Sequence, residues 1–120
     1  LSRVMLAIKT VLAGKDAIDT LIFDEIDTGI SGRAAQKVGM KLRQTAKNRQ
    51  ILCVTHLAQI AAQAHNQYLI AKSVREGRTY TQVTHLDDEG REQELARIIG
   101  GEVTEAARQT AREMLKKVVD

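Results

Sequence analysis

Apolar residues follow two rhythms along this chain, and the exchange between them sets out its elements. Leu1, Val4, Met5, Ile8, Val11 and Leu12 recur at the spacing of one helix face, and Gly14 supplies a stop. Thr20-Leu21-Ile22-Phe23 is instead a continuous run closed by Asp24-Glu25, the pattern of a strand buried on both faces of a parallel sheet. Ser31 is placed to cap a helix from about Gly32 to Lys47, with Ala35, Val38 and Leu42 on its inner side. A second continuous run, Ile51 to Val54, leads through Thr55-His56 into an Ala-rich helix near Leu57 to Ala64. Strand, helix, strand, helix predicts a right-handed βαβ unit and an α/β fold.

The rhythm then changes. Gln67 to Val74 and Thr79 to Leu86 are β-rich segments around Glu76-Gly77-Arg78, which predicts a hairpin. Two helices follow. The first carries Leu95, Ile98 and Ile99 inward and ends at Gly100-Gly101. The second starts after Thr104 and buries Ala107, Ala111, Met114, Leu115 and Val118. With no internal repeat and no low-complexity tract, residues 1–120 are expected to form one domain or one lobe of one.

Composition narrows the function classes. Hydrophobic residues at 43% and charged residues at 28% suit a chain with a real core. Aromatics at 2% leave too few flat side chains for a base-stacking platform. The net charge of +3, with Lys and Arg scattered among acids, does not by itself indicate a nucleic-acid surface. The single cysteine, Cys53, excludes an internal disulfide and a thiol-built metal site, and its apolar surroundings predict a buried thiol. His65 and His85 are read as lacking a site role, and the three histidines lie too far apart in sequence to suggest a metal centre. No run of apolar residues is long enough to span a membrane and no signal-peptide pattern is present, so a cytoplasmic protein is expected. Leu1 has no Met before it and an apolar helical pattern begins at once, as expected of a piece of a longer chain.

The candidate chemistry sits where the two continuous runs end. Ligands of open α/β sheets bind at the carboxyl ends of strands. Asp24 there can anchor Mg²⁺, often through water, and Glu25 can polarise a water for attack on a γ-phosphate. The bland alternative is an acidic loop after a buried strand. His56 comes directly after the second run; if the strands are neighbours, it shares a crevice with Glu25 and can hydrogen-bond a terminal phosphate. Between them, Asp27-Thr28-Gly29-Ile30-Ser31-Gly32 is a tight loop opening a helix, whose free N–H groups suit a phosphate or a facing subunit.

Taken together, Leu21 to Asp27, Gly29-Ile30-Ser31-Gly32 and Val54-Thr55-His56 resemble, in order, the Walker B strand, D-loop and switch histidine of ABC-type ATPase heads. Leu1-Ser2-Arg3 resembles the residues directly after that family's signature motif. Phe23 to Gly32, Thr55 to Ala62 and Glu94 to Gly101 are most similar to the RecN family, bacterial DNA double-strand-break repair ATPases related to the SMC proteins. Ala58 stands where that family usually has Pro. The resemblance spans essentially all 120 residues. It implies the C-terminal lobe of a P-loop ATPase head, with ATP and Mg²⁺ as cofactors of the intact head, Asp24 as metal anchor, and Glu25 and His56 as catalytic residues. It further implies that Asp27, Gly29, Ser31 and Gly32 face the nucleotide or the second head of a homodimer, and that the intact bacterial protein engages DNA at the nucleoid. No Gly-x-x-x-x-Gly-Lys-[Ser/Thr] phosphate loop and no Ser-Gly-Gly-Glu signature motif occur in the chain, so a phosphate-loop segment is an expected partner and the chain alone is expected to be inactive. Two other readings are a head piece of another SMC- or RecF-like ATPase, against which Gly29-Ile30-Ser31-Gly32 argues, and an ATP-independent interaction module.

Overall fold

The computed structural model describes residues 19–119. The helix expected over Leu1 to Leu12, and the Leu1-Ser2-Arg3 match, lie outside the described residues. The chain forms two compact units, one holding the described residues up to Ala64 together with those from Met114, the other His65–Glu113.

In the first unit, strand β1 (Thr20–Phe23), helix α1 (Gly32–Thr45), strand β2 (Gln50–Cys53) and the short helix α2 (Ala58–Ala61) occur in the expected order. β1 and β2 pair in parallel, with Thr20 opposite Gln50 and Phe23 opposite Cys53. The pairing extends at both ends, where Gln50 N–H donates to the Asp19 carbonyl (2.7 Å) and Val54 N–H to that of Phe23 (3.0 Å). Leu21 and Phe23 point into a core with Ile26, Ala35, Leu42 and Ile60, and Val38, Ile51 and Cys53 pack against it.

Burial on both strand faces, expected from the continuous apolar runs, is not found. Ile22 is 72% exposed, and its register partner Leu52 is exposed as well. The reason is layering: Ala35, Leu42 and Ile60 cover one face of the strand pair, and the opposite face is left open among the described residues. Two helix boundaries also differ. α1 ends at Thr45, short of Lys47, where the Thr45 hydroxyl donates back to the Lys41 carbonyl (2.8 Å). α2 is only four residues long because the backbone bonds after it tighten to a three-residue reach, Gln63 to Ile60 and Ala64 to Ala61 (both 3.1 Å). Ser31 does occupy the N-cap of α1 with extended backbone, but its hydroxyl makes no capping bond.

In the second unit, β3 (Tyr68–Arg75) and β4 (Arg78–His85) form the expected antiparallel hairpin, with Arg75 opposite Arg78. Glu76 (φ 51°) and Gly77 (φ 74°) are both left-handed, the combination that a two-residue turn needs to match strand twist. Helix α3 (Asp88–Gly100) starts on the Asp87 side chain, which accepts from Gly90 N–H (2.7 Å), and stops at left-handed Gly101. Helix α4 (Glu105–Lys116) is capped by the Thr104 hydroxyl, which accepts from Ala107 N–H (3.1 Å). Glu92 on α3 accepts from Arg108 (2.8 Å) and sits 3.1 Å from Arg112, both on α4. The bond from Arg108, with that from Arg112 behind it, holds the Glu92 carboxyl below its ordinary range against a smaller desolvation effect.

Leu95 is buried as expected, but Ile99 is 40% exposed. The stripe of α3 that meets α4 runs through Glu92 and Gly100, and a Cβ at Gly100 would lie 3.3 Å from the Ala107 methyl. Ile99 shares the face of Glu92 and Leu95 but sits in the last turn of the helix. Ala107 and Ala111 are buried, while Met114, Leu115 and Val118 are only half-buried.

Gly39 marks the closest approach in the first unit. A Cβ there would stand 3.0 Å from the Gln59 carbonyl oxygen and 3.3 Å from the Ile60 Cα, so α1 passes directly against the backbone of α2. Gly39→Val is expected to lower unfolding free energy by about 1–3 kcal/mol through overpacking, despite its better fit to a helix than glycine. Urea unfolding checks this, and an unchanged midpoint would show that the two helices are not packed so closely.

Candidate functional site

The in-register end of the strand pair is what assembles the site. Because Phe23 lies opposite Cys53, the chain leaves β1 through Asp24-Glu25 and β2 through Val54-Thr55-His56 at the same edge of the sheet. Asp24 and Glu25 are exposed. Glu25 has φ 58°, left-handed and uncommon for a residue with a side chain. Such a conformation costs on the order of 1–3 kcal/mol and persists only where the surroundings enforce it. Here the enforcing element is a turn: Thr28 N–H donates to the Glu25 carbonyl (3.3 Å) and Ile30 N–H to that of Asp27 (3.4 Å). Gly29 (φ 74°) and Gly32 (φ 56°), the first residue of α1, take two further left-handed positions.

Asp27 is the residue whose position could not be anticipated. It is 3% exposed, and its Oδ2 accepts from the Thr55 hydroxyl (2.7 Å) and the His56 backbone N–H (2.8 Å), with His56 Nδ1 2.9 Å away. Burial alone would raise its carboxyl. The bonds from Thr55, from the His56 backbone and from its own N–H, with the nearby imidazole, outweigh that and hold it below the ordinary value of 3.8. The Thr55 hydroxyl also accepts from Leu57 N–H (3.1 Å), so the start of the segment after β2 is fixed to the same carboxylate. The His56 ring itself stands out, with 75% of its side chain exposed.

The two strands are neighbours, so His56 and Glu25 leave the sheet at one edge, and the residue of the β1 end that His56 touches is Asp27. Gly29, Ser31 and Gly32 line the exposed loop that leads into α1. Thr55 is missed by sequence reasoning; its one signal is its place between a continuous apolar strand and His56. Cys53 is half-buried, and desolvation, with the Asp27 and Asp24 charges behind it, pushes its thiol up to about 11. His85 stacks at a tilt on Tyr68 (5.0 Å between ring centres) with its Nε2 3.2 Å from Asn66 Oδ1. Among the described residues no group of three or more His, Cys, Asp or Glu could hold a metal by itself, and no helix is long and apolar enough to cross a membrane.

Known proteins share both the sequence and the fold. The chain is 44% identical over 118 residues to the DNA repair protein RecN of Bacillus subtilis, a match that spans 98% of the chain and 20% of that protein. It is 47% identical to RecN of Vibrio cholerae and 50% identical to that of Deinococcus radiodurans, each over 96% of the chain. The chain matches a C-terminal part of RecN. It spans about a fifth of the length of these RecN relatives. No family model matches the chain. Among solved structures, one from work on ATP-driven dimerization and DNA stimulated activation of SMC ATPases superimposes with a TM-score of 0.57 and 21% identity, over 74% of this chain and 53% of the other. The α/β fold, with its parallel strand pair, hairpin and C-terminal helices, is thus shared with part of a chain from work on SMC ATPases.

The environments of Asp27 and Cys53 can each be measured. Since the folded Asp27 carboxyl titrates below its unfolded value, its stabilisation is fully present above about 3.9 and is lost as pH falls through the folded value. Unfolding free energy measured against pH should fall more steeply on the acid side for the native chain than for Asp27→Asn; equal slopes would show that Asp27 is not held ionised. A thiol raised from 9.0 to about 11 has about a hundredfold less thiolate near neutral pH, so Cys53 should alkylate far more slowly than a free thiol until the chain is unfolded.

Proposed function

We propose that this chain supplies the hydrolytic part of an ATP site in a RecN-type head, and that the intact protein couples ATP hydrolysis to head pairing and DNA engagement in double-strand-break repair. The observation that supports this most is the parallel register that sends Asp24-Glu25 and Thr55-His56 off the same sheet edge. The donor set suits Mg²⁺ of this kind: a magnesium ion held at a nucleotide takes one or two carboxylates and completes its shell from phosphates and water, so a cluster of protein ligands is not required. Asp24 would hold the ion, which supplies charge neutralisation at the phosphates when bound.

Glu25 acts as general base in this reading. Its exposed carboxylate, aimed by a left-handed backbone, accepts the proton of an attacking water. His56 presents its exposed ring to the terminal phosphate. Gly29, Ser31 and Gly32 form the loop surface that meets nucleotide or a second head, and Asp27 connects that loop to His56. Residues 1–120 then form one segment of a single head, acting in the cytoplasm at the nucleoid with a second copy of the head, a phosphate-loop segment and DNA as partners.

Because the sequence contains no phosphate loop, most of the backbone amides that cradle a triphosphate have to come from elsewhere. The chain alone is expected to show no saturable MgATP binding at millimolar nucleotide; clear saturation would overturn the division of the site. In a RecN-type head that carries the phosphate loop, the equivalent of Glu25→Gln should keep MgATP binding and lose at least about a hundredfold in turnover. Unchanged turnover would remove Glu25 from the mechanism.

A further inference from the structure

We propose that Asp27 is a positioning residue for His56: its buried carboxylate holds the imidazole by Nδ1 and leaves Nε2 as the atom offered to a ligand. The inference deepens the ATPase reading, on which its functional meaning rests, but the contact itself stands on geometry alone.

Two hydrogen bonds and one close ring contact converge on one oxygen. Asp27 Oδ2 receives the Thr55 hydroxyl at 2.7 Å and the His56 backbone N–H at 2.8 Å, and lies 2.9 Å from His56 Nδ1. Which group carries the proton in each contact follows from its chemistry. The Thr55 oxygen already accepts from Leu57 N–H, so its own proton goes to Asp27. An ionised carboxylate can only accept, so Nδ1 has to carry the proton. In a neutral ring that leaves Nε2 bare, because which nitrogen is protonated is set by the bond the other one makes. Asp27 grips both the backbone and the ring of the same residue, which fixes where the ring starts and which way it turns. Asp27 is 3% exposed while the His56 side chain is 75% exposed, so the ring is anchored at one nitrogen and open at the other.

The consequence for a phosphate ligand is specific. Nε2 accepts a hydrogen bond when the ring is neutral and donates one to an anionic oxygen when the ring carries a second proton, with the Asp27 carboxylate balancing the added charge. A histidine lacking that anchor could turn either nitrogen toward the ligand and would hold neither in place. Thr55 is part of the same device at one remove, since it orients Asp27 without touching His56 through its side chain.

The test reads the tautomer directly. The 120-residue chain, labelled with ¹⁵N in its histidines, is studied by long-range proton–nitrogen correlation without nucleotide, at a pH where the rings are neutral. His56 should show protonated Nδ1 and bare Nε2. In Asp27→Ala the two ring signals should exchange places or average, whereas in Thr55→Val, which weakens the carboxylate's support but leaves its contact with the ring, the native pattern should persist despite lower stability. A native chain with protonated Nε2 would overturn the assignment even if Asp27→Ala fails to fold. So would an unaltered pattern in a folded Asp27→Ala. Because no nucleotide is present, that failure would leave the ATPase reading untouched. The expected tautomer, together with undiminished MgATP turnover after His56→Ala in a RecN-type head, would confirm the anchoring and remove the ATPase role of His56.

Discussion

A carboxylate taken out of water is costly unless its lone pairs are occupied by strong donors, and the first unit is organised around one that is. Asp27 lies just past the end of β1, yet all three groups that approach its Oδ2 come from Thr55 and His56, beyond β2. The strands have only four residues each, and their parallel ladder is a short one. Asp27 adds a cross-connection just beyond the ladder, where two loops would otherwise diverge. Bonds to a charged group contribute about 1.5–3 kcal/mol each, and losing one partner of a buried charge costs more than the bond itself because the charge is then left unpaired. The two strand ends are therefore coupled: a change in either loop is felt by the other.

That coupling explains why the chemical groups of the site are arranged around buried neighbours. Ile26 and Asp27 turn inward, at 1% and 3% exposure, while Asp24, Glu25 and His56 remain outside. The loop is thus pinned by adjacent residues, apolar Ile26 into the core and ionic Asp27 onto the segment after β2. The candidate side chains beside these pins inherit fixed starting points without being buried themselves. The second unit achieves order differently, by capping each helix and joining α3 to α4 through Glu92 and two arginines.

Much of this is legible in the residue pattern. Continuous apolar runs identify β1 and β2, Glu76-Gly77 identifies the hairpin turn, and the ends of the two runs place Asp24-Glu25 and His56 at one sheet edge. The features that stay hidden depend on layers and three-dimensional contacts. A run such as Leu21-Ile22-Phe23 cannot say whether one face or two is covered, and here Ile22 is left open. Ile99 lies on the inward face of α3 but in its last turn, and periodicity alone cannot say that the cover ends before it. Asp27 reads in sequence as one more polar loop residue, because nothing local indicates that its partners lie twenty-eight and twenty-nine residues later.

Glu25 brings a different tension into view. A left-handed backbone suits glycine, which adopts it without a steric penalty, and replacing glutamate by glycine there would relieve the local strain. Selection for folding alone would thus push this position toward a residue with no side chain, and a screen for thermostable variants would drift the same way. Any such gain would delete the carboxylate that the turn displays. If Glu25 has the role proposed above, robustness and chemistry pull against each other at this one backbone position, and a sturdier version of the head is also a route to an inert one.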